Sequence, residues 1–315
     1  MTFEKLKRFK FFHWLYNLWH FSELKHNSRA YKKYGIHKPL YASISSKDFP
    51  DKQSQAWFDT GDSVVLAPAT TLFHSFPSAV QQKILSWSAN GYLIVEKMFD
   101  DGTVNAINQE IDLLRQSGKL KFTHGNKLMF ANRISPLISS VTQNPQIKNI
   151  LDFLLNKEVV PFQTINFIEG SEQRAHSDSI HMTTYPLGYL IAVWIALEDI
   201  TPENGPLFYY PGSHKLPFLL NDDYNKPSSL LTLGSHSYTD YEDALQAVVE
   251  QADFKKQYFL AKKGDVLIWH ANLVHGGAPI IDNTSTRKSM VIHYYANDVI
   301  KYHEITERPS LLKQG

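Results

Sequence analysis

From residue 159 onward the chain is written in short runs of branched and aromatic residues separated by turn formers, and this texture limits the fold more than any other feature. The runs are VVPFQTINFI (159–168), YLIAVWIALE (189–198), PLFYYPG (206–212), GDVLIWH (264–270) and RKSMVIHYYA (287–296), with Gly, Pro, Asn and Asp between them. The spacing and punctuation predict an antiparallel barrel or jelly roll rather than a parallel βαβ sheet. Ahead of this region the period changes. Residues 79–88 and 145–156 read as helices, 91–99 as a strand, and 103–118 as a helix with Thr103 as its cap and Val104, Ile107, Ile111 and Leu114 on its apolar face. Helices first and strands after predict an α+β fold: a double-stranded β-helix (jelly-roll or cupin-like) core with flanking helices.

The 315 residues divide into an expected N-terminal helical or irregular extension packed on the core (1–60) and a jelly-roll domain (61–315). Residues 27–60 are polar and irregular. The long interval 216–258 carries one helix-like run, 241–251, and is expected to be a mobile cover over a pocket, since long insertions in compact domains are often lids or binding loops. The N-terminus is basic and aromatic, but its apolar stretch from Phe11 to Phe21 is broken by His13, Asn17 and His20, too short and polar to span a bilayer. Its aromatic face is expected to pack on the domain. A sharper alternative is weak contact of residues 3–24 with a membrane surface, with Lys5, Lys7, Arg8 and Lys10 near the headgroups. No cleavage site follows, so a cytoplasmic protein, peripheral at a membrane if the alternative holds, is the expectation.

Composition narrows the chemistry. With 32 basic and 31 acidic side chains, the chain has no global field to draw it to nucleic acid, and a small-molecule partner is expected. The absence of cysteine excludes disulfides, thiolate zinc sites, iron–sulfur clusters and cysteine nucleophiles. Any metal must be held by His, Asp and Glu, which suits iron, manganese or a His/carboxylate zinc site.

Against that background, 173-QRAHSDSIHM-182 raises a question. His176 and Asp178 stand two residues apart, and residues i and i+2 of an extended segment point to one side. Alone, His-x-Asp reads as readily as a polar turn. Downstream stand 270-HANLVHGGAP-279 and Arg287. A facial triad of two histidines and one carboxylate leaves iron positions open for a co-substrate and dioxygen, and a planar guanidinium can pair with a distal carboxylate in two-pronged fashion. His181 is too close to Asp178 to complete one face. Between His270 and His275, the two glycines after His275 would keep bulk away from a bound co-substrate, and Arg287 lies twelve residues beyond it, room for a turn and a return strand.

The segments 176-HSD-178, 194-WIALEDITPENGPLFYYPGSHK-215, 264-GDVLIWHANLVHGGAP-279 and Arg287, together with GYLIVEKMFDDGTVNAINQEI (91–111), resemble the phytanoyl-CoA dioxygenase family of Fe(II)/2-oxoglutarate-dependent oxygenases over roughly residues 88–297. The resemblance implies an oxidoreductase that uses Fe(II), 2-oxoglutarate and O2 to hydroxylate an unactivated C–H bond, releasing succinate and CO2. It implies His176, Asp178 and His275 as metal ligands, Arg287 as the 2-oxoglutarate anchor, and Trp194 in the co-substrate pocket. Halogenases related to the family replace the carboxylate by a small residue, so Asp178 implies hydroxylation. His181, Tyr185, Tyr209, Phe218, His214 and His270 are candidates for the substrate pocket or for support of the ligands. Two other readings stand beside this one: a cupin-type metal enzyme without 2-oxoglutarate, which would not need Arg287, and a non-catalytic ligand-binding jelly roll.

Overall fold

The computed structural model describes residues 8–224, 228–229, 231–234 and 238–312; Lys5 and Lys7 lie outside the described residues, as do seven positions of the 216–258 interval. The longer helices are α1 (Lys10–Trp19), α2 (Asn27–Lys33), α3 (Ser78–Leu85), α4 (Asp101–Gln116), α5 (Pro145–Leu155) and α6 (Tyr238–Gln251). Thirteen strands are described: β1 (Tyr92–Val95), β2 (Phe122–Thr123), β3 (Lys127–Met129), β4 (Val159–Phe167), β5 (Thr183–Tyr185), β6 (Leu190–Ala196), β7 (Leu207–Tyr209), β8 (Gln257–Phe259), β9 (Val266–His270), β10 (His275–Gly277), β11 (Ser289–Ala296), β12 (Ile300–His303) and β13 (Arg308–Pro309). They form a seven-stranded sheet in the order β1-β9-β6-β11-β4-β3-β2 and two three-stranded sheets, β10-β7-β8 and β13-β12-β5. All named strand pairs are antiparallel. The molecule is an α+β jelly roll, with α4 and α5 packed on the outer face of the seven-stranded sheet and other helices elsewhere around it.

The continuous apolar run LIAVWIA is explained by burial on both faces of β6. Ile191, Val193 and Ile195 point into a core shared with Ile107, Ile111, Ile147 and Leu151 of α4 and α5. Ala192, Trp194 and Ala196 point the other way, into the barrel, where they meet Leu207, Phe259, Leu267 and Trp269. Period-two alternation thus separates a helix-facing core from the barrel interior.

Several local expectations shift. The cap of α4 is Asp100, whose side chain accepts from the Thr103 backbone N–H, so Thr103 receives the cap instead of supplying it. The strand expected over 91–99 is only β1, and Lys97 adopts a positive φ just beyond it. The 79–88 helix breaks at Ser86, and the 27–60 segment contains α2. That segment packs against the β13-β12-β5 sheet through a cluster of Tyr31, Ile44, Phe49, Tyr185, Ile300 and Tyr302.

Helix α1 reverses the expected orientation. Most of its aromatic side chains turn outward, although Trp14 meets the Tyr41 ring edge-on at 5.4 Å and Tyr16 lines the cavity described below; its only buried residue is Asn17, which donates to the Tyr41 carbonyl. Lys10 pairs with Glu307 at 2.6 Å. Phe11, Phe12, Leu15 and Trp19 are exposed. Among the described residues, no helix is long and apolar enough to cross a membrane.

From the 216–258 interval, α6 packs as a wall. Tyr241 is fully buried with its hydroxyl 2.9 Å from Ser177 Oγ, and Arg174 bridges to Glu242 and Asp243.

Candidate metal centre

The backbone builds the centre before any side chain does. His176 lies in the crossing between β4 and β5, and it bridges His275 at the start of β10: each donates its N–H to the other's carbonyl at 2.9 Å. This bridge brings residues 99 positions apart into register. Ser177 is extended, and Asp178 opens a single 3-10 turn, so His176 and Asp178 project to the same side.

Two short hydrogen bonds then set the imidazoles. His176 Nδ1 donates to the Arg174 carbonyl and His275 Nδ1 to the Leu273 carbonyl, both at 2.9 Å. A carbonyl can only accept, so Nδ1 carries the proton in each ring and Nε2 is left with a lone pair. Both Nε2 atoms face Asp178 Oδ1, at 3.9 Å from His176 and 3.8 Å from His275, too far for direct hydrogen bonds. The three donor atoms lie within 4.8 Å of one another, and all three residues are buried. The other carboxylate oxygen, Oδ2, accepts from Trp269 Nε1 at 2.9 Å and stands 3.4 Å from His293 Nε2, which fixes the plane of the group. Burial opposes the charge on Asp178, but His275, His293 and His176 around it hold the carboxyl well below the usual carboxylate range. Burial and the neighbouring His275 push His176 down, keeping it neutral. A deprotonated carboxylate and two imidazoles whose Nδ1 atoms are engaged and whose Nε2 atoms converge on one point are the donor set that a divalent iron takes.

Deeper in the same cavity lies Arg287, at 2% exposure. Its Nη1 donates to the Gly205 carbonyl at 3.3 Å, while its Nε has no hydrogen-bond partner, and neither has the buried hydroxyl of Ser289 next along the strand face. Burial lowers this guanidinium to about 10, partly offset by Glu198, so it remains cationic at neutral pH. Its guanidinium lies 5.8 Å from the Trp194 ring and 5.5 Å from that of Phe167. A buried cation without a direct salt bridge among the described residues, and with an unpartnered N–H, fits a carboxylate ligand, which is what the far end of 2-oxoglutarate presents.

The remaining candidates separate. His181 lines the cavity with its ring 4.7 Å from that of Tyr238. Tyr185 does not reach the cavity; it stacks on Phe49 at 4.0 Å between the N-terminal segment and β12. Tyr209 sits in the barrel core with its hydroxyl 3.3 Å from Gln257 Oε1, and it is Leu207 from the same strand that lines the cavity. His270 faces away: its Nε2 lies 3.0 Å from Asp59 Oδ2, and its Nδ1 accepts from the Asn272 N–H. His214 and Phe218 pack beside His270. Packing alone already demands the glycines after His275, and Gly276 also lines the cavity. A Cβ on Gly276 would stand 2.5 Å from the Phe208 ring and 2.7 Å from the Gln173 carbonyl oxygen; one on Gly277 would stand 2.4 Å from Ser171 Oγ.

Residues not singled out in the sequence complete the cavity of about 1040 Å³. His293 is the chief of these; it shares the parity of Arg287 and Val291 on one strand face, a signal legible in KSMVIHYY. Lys127, Arg133 and Arg308 bring positive charge, and Phe130, Phe162 and Met182 bring apolar surface.

With this geometry in hand, comparison is informative. The family model described as phytanoyl-CoA dioxygenase (PhyH) matches residues 87–289. Phytanoyl-CoA dioxygenase domain-containing protein 1 of Danio rerio is 30% identical over 167 residues, 51% of this chain and 52% of that protein. Peroxisomal phytanoyl-CoA dioxygenase of Rattus norvegicus is 24% identical over 253 residues, covering 72% and 71%. The match thus spans about half the length of the Danio rerio relative. Among solved structures, the non-heme alpha-ketoglutarate-dependent carbocyclase SnoK superposes with a TM-score of 0.61 at 17% identity, covering 78% of this chain and 96% of its own. EctD from S. alaskensis with 2-oxoglutarate and 5-hydroxyectoine gives 0.61 at 18%, covering 87% and 94%. These two share the fold.

Proposed function

Given that the chain belongs to the phytanoyl-CoA dioxygenase family, we propose that it is an Fe(II)- and 2-oxoglutarate-dependent oxygenase that hydroxylates an unactivated C–H bond of an amphipathic, acidic small molecule. The observation that carries this reading is the placement of His176, Asp178 and His275 in one cavity with the buried guanidinium of Arg287, whose Nε has no partner among the described residues. A cupin-type enzyme without 2-oxoglutarate would have no use for a cation buried at 2% exposure, and a non-catalytic domain no use for three buried ligand atoms gathered within 4.8 Å.

His176, Asp178 and His275 would hold iron, which with 2-oxoglutarate and O2 supplies the oxidation, consuming the co-substrate to succinate and CO2. The protein's share is orientation. The carbonyls of Arg174 and Leu273 hold the imidazoles in the ligating tautomer. Trp269 and His293 hold Asp178 Oδ2, leaving Oδ1 for the metal. Arg287, under Trp194 and Phe167, fixes one end of the co-substrate in an apolar wall. Lys127, Arg133 and Arg308 outnumber the carboxylates around the rest of the cavity, where among the described residues Glu23 is the one acid besides Asp178. An anionic group on the substrate satisfies them, and Phe130, Phe162 and Met182 take its apolar part.

The test is anaerobic addition of Fe(II) and then 2-oxoglutarate. A visible charge-transfer band, followed by succinate release on admitting O2 with acidic lipid-like candidates, is the expected result. Iron binding with neither a band nor 2-oxoglutarate turnover would overturn the reading.

A further inference from the structure

Helix α1 is amphipathic in the reverse sense. Lys10 and Asn17 face the protein and are satisfied there, by Glu307 and the Tyr41 carbonyl. The apolar side faces out: Phe11 is 59% exposed, Phe12 47%, Leu15 44% and Trp19 87%. Four large side chains on about three turns make a contiguous apolar face, which water-facing monomers rarely carry unless it binds something. The helix is also held in place; the backbone pairs Lys10 with Leu231 and Leu233 with Arg8, at 2.9 and 2.8 Å. A fixed helix that turns its apolar face outward loses free energy in water and regains it in a partner.

Charge identifies the partner. Residues 1–33 contain eight Lys and Arg against Glu4 and Glu23, a net +6 in a chain whose total is +1, so the other 282 residues carry −5. Of these cations, Arg8, Lys25, Lys32 and Lys33 are exposed. Aromatic and leucine side chains on one face, with a basic flank, are the features of a helix that lies in a lipid interface, the rings at the headgroup–acyl boundary and the cations near anionic headgroups. An acidic protein surface would answer the same charge, but it does not call for rings and leucine on one continuous face with cations beside them, and the vesicle experiment below separates the two.

The same helix borders the cavity. Tyr16 and His20, one turn apart, line its mouth together with His124 and Phe130. We propose that α1 seats the protein on an anionic bilayer surface and thereby turns the mouth of the cavity toward the lipid, so that the substrate is taken from the membrane. The second half of this inference rests on the proposed function; the first half does not.

The experiment is sedimentation of the full-length, iron-loaded protein with vesicles of phosphatidylcholine alone or mixed with phosphatidylserine. Binding to the mixed vesicles, weakened by added salt, is expected, with binding to phosphatidylcholine at least about tenfold weaker. The double variant Phe11→Glu/Trp19→Glu should lose about tenfold or more in vesicle affinity while its thermal unfolding and its 2-oxoglutarate band stay unchanged, because both side chains stand in solvent. No sedimentation of the wild type, or equal sedimentation of the double variant, would overturn the proposal. So would a wild-type dimer in solution that the double variant converts to monomer, since a second copy would then cover the face. Loss of the 2-oxoglutarate band in wild type would instead remove the proposed function and leave vesicle binding standing.

Discussion

Among the described residues two clusters set a carboxylate against histidines, one around Asp178 and one around Asp59, and they differ in how the groups meet. In the first, Asp178 with His176 and His275, the ring Nδ1 atoms are spent on backbone carbonyls and both Nε2 atoms stop 3.8–3.9 Å short of the carboxylate. In the second, Asp59 with His270 and His214, His270 Nε2 closes on Asp59 Oδ2 at 3.0 Å, and Ser54 also donates to that oxygen. The first is held open by its backbone; the second is closed on itself. Residue types are the same, so the types alone do not make a metal site. What makes one is a set of lone pairs that converge without satisfying each other.

Removing the carboxylate from each cluster is the sharpest way to break this comparison. Asp178→Asn keeps an acceptor for Trp269 Nε1 but removes the charge from the open cluster. Iron affinity is expected to fall by about 100-fold or more and turnover by about 1000-fold, with the unfolding midpoint of the metal-free protein preserved or raised, since a buried charge has gone. Asp59→Ala should do the reverse. It leaves His270 Nε2 buried without a partner, which costs about 3 kcal/mol of stability, while anaerobic iron titration gives the wild-type affinity. If Asp59→Ala also loses iron, the closed cluster supports the open one and the contrast fails.

How far the clusters could be read in advance follows from the same contrast. The strand texture after 159 gave the jelly roll, because β6 and β9 are buried on both faces and must be apolar throughout. His-x-Asp, the second histidine and Arg287 were legible as a pattern, and the structure gathers them into one cavity. Asp59 as the partner of His270 was not legible, since 211 positions separate them and no local rule links them. Tyr185 and Tyr209 were misplaced because an aromatic in a strand looks the same whether it faces a cavity or a neighbouring sheet. The outward face of α1 was misread for a similar reason: periodicity shows that a helix has an apolar side but not which way that side points.

Arg287, the proposed co-substrate anchor, sharpens the comparison from the open side. Arg287→Ala removes a buried, desolvated cation whose loss typically costs a charge-assisted pair about 2–5 kcal/mol, but it also opens a hole. Arg287→Lys is the cleaner change. The charge stays, and the planar fork is lost. The concentration of 2-oxoglutarate needed for half-maximal charge-transfer absorbance should rise about tenfold, with iron affinity unaltered. An unchanged requirement would place the anchor elsewhere in the cavity.

The smallest effect expected comes from the closed cluster and from protons. His214 packs its ring 5.5 Å from that of His270, and burial pushes it down to about 3; the charge of His270 and that of Lys215 act in the same direction, while Asp59 and a backbone hydrogen bond oppose them. A histidine whose folded value lies below its unfolded value of about 6.5 is neutral in the fold and protonates more readily when unfolded. Its contribution to stability is therefore present above about pH 6.5 and is lost as the pH falls toward the folded value. Between pH 7 and pH 5.5 the loss assigned to this one side chain is about 1 kcal/mol. His214→Gln removes the titration, and its own cost at pH 7 does not matter, because the quantity read is the slope. Denaturant unfolding of both proteins at the two pH values should give a decline smaller in the variant by that amount. Parallel declines would show that His214 already takes up a proton in the fold at pH 5.5, and that the closed cluster has more room for charge than its packing implies.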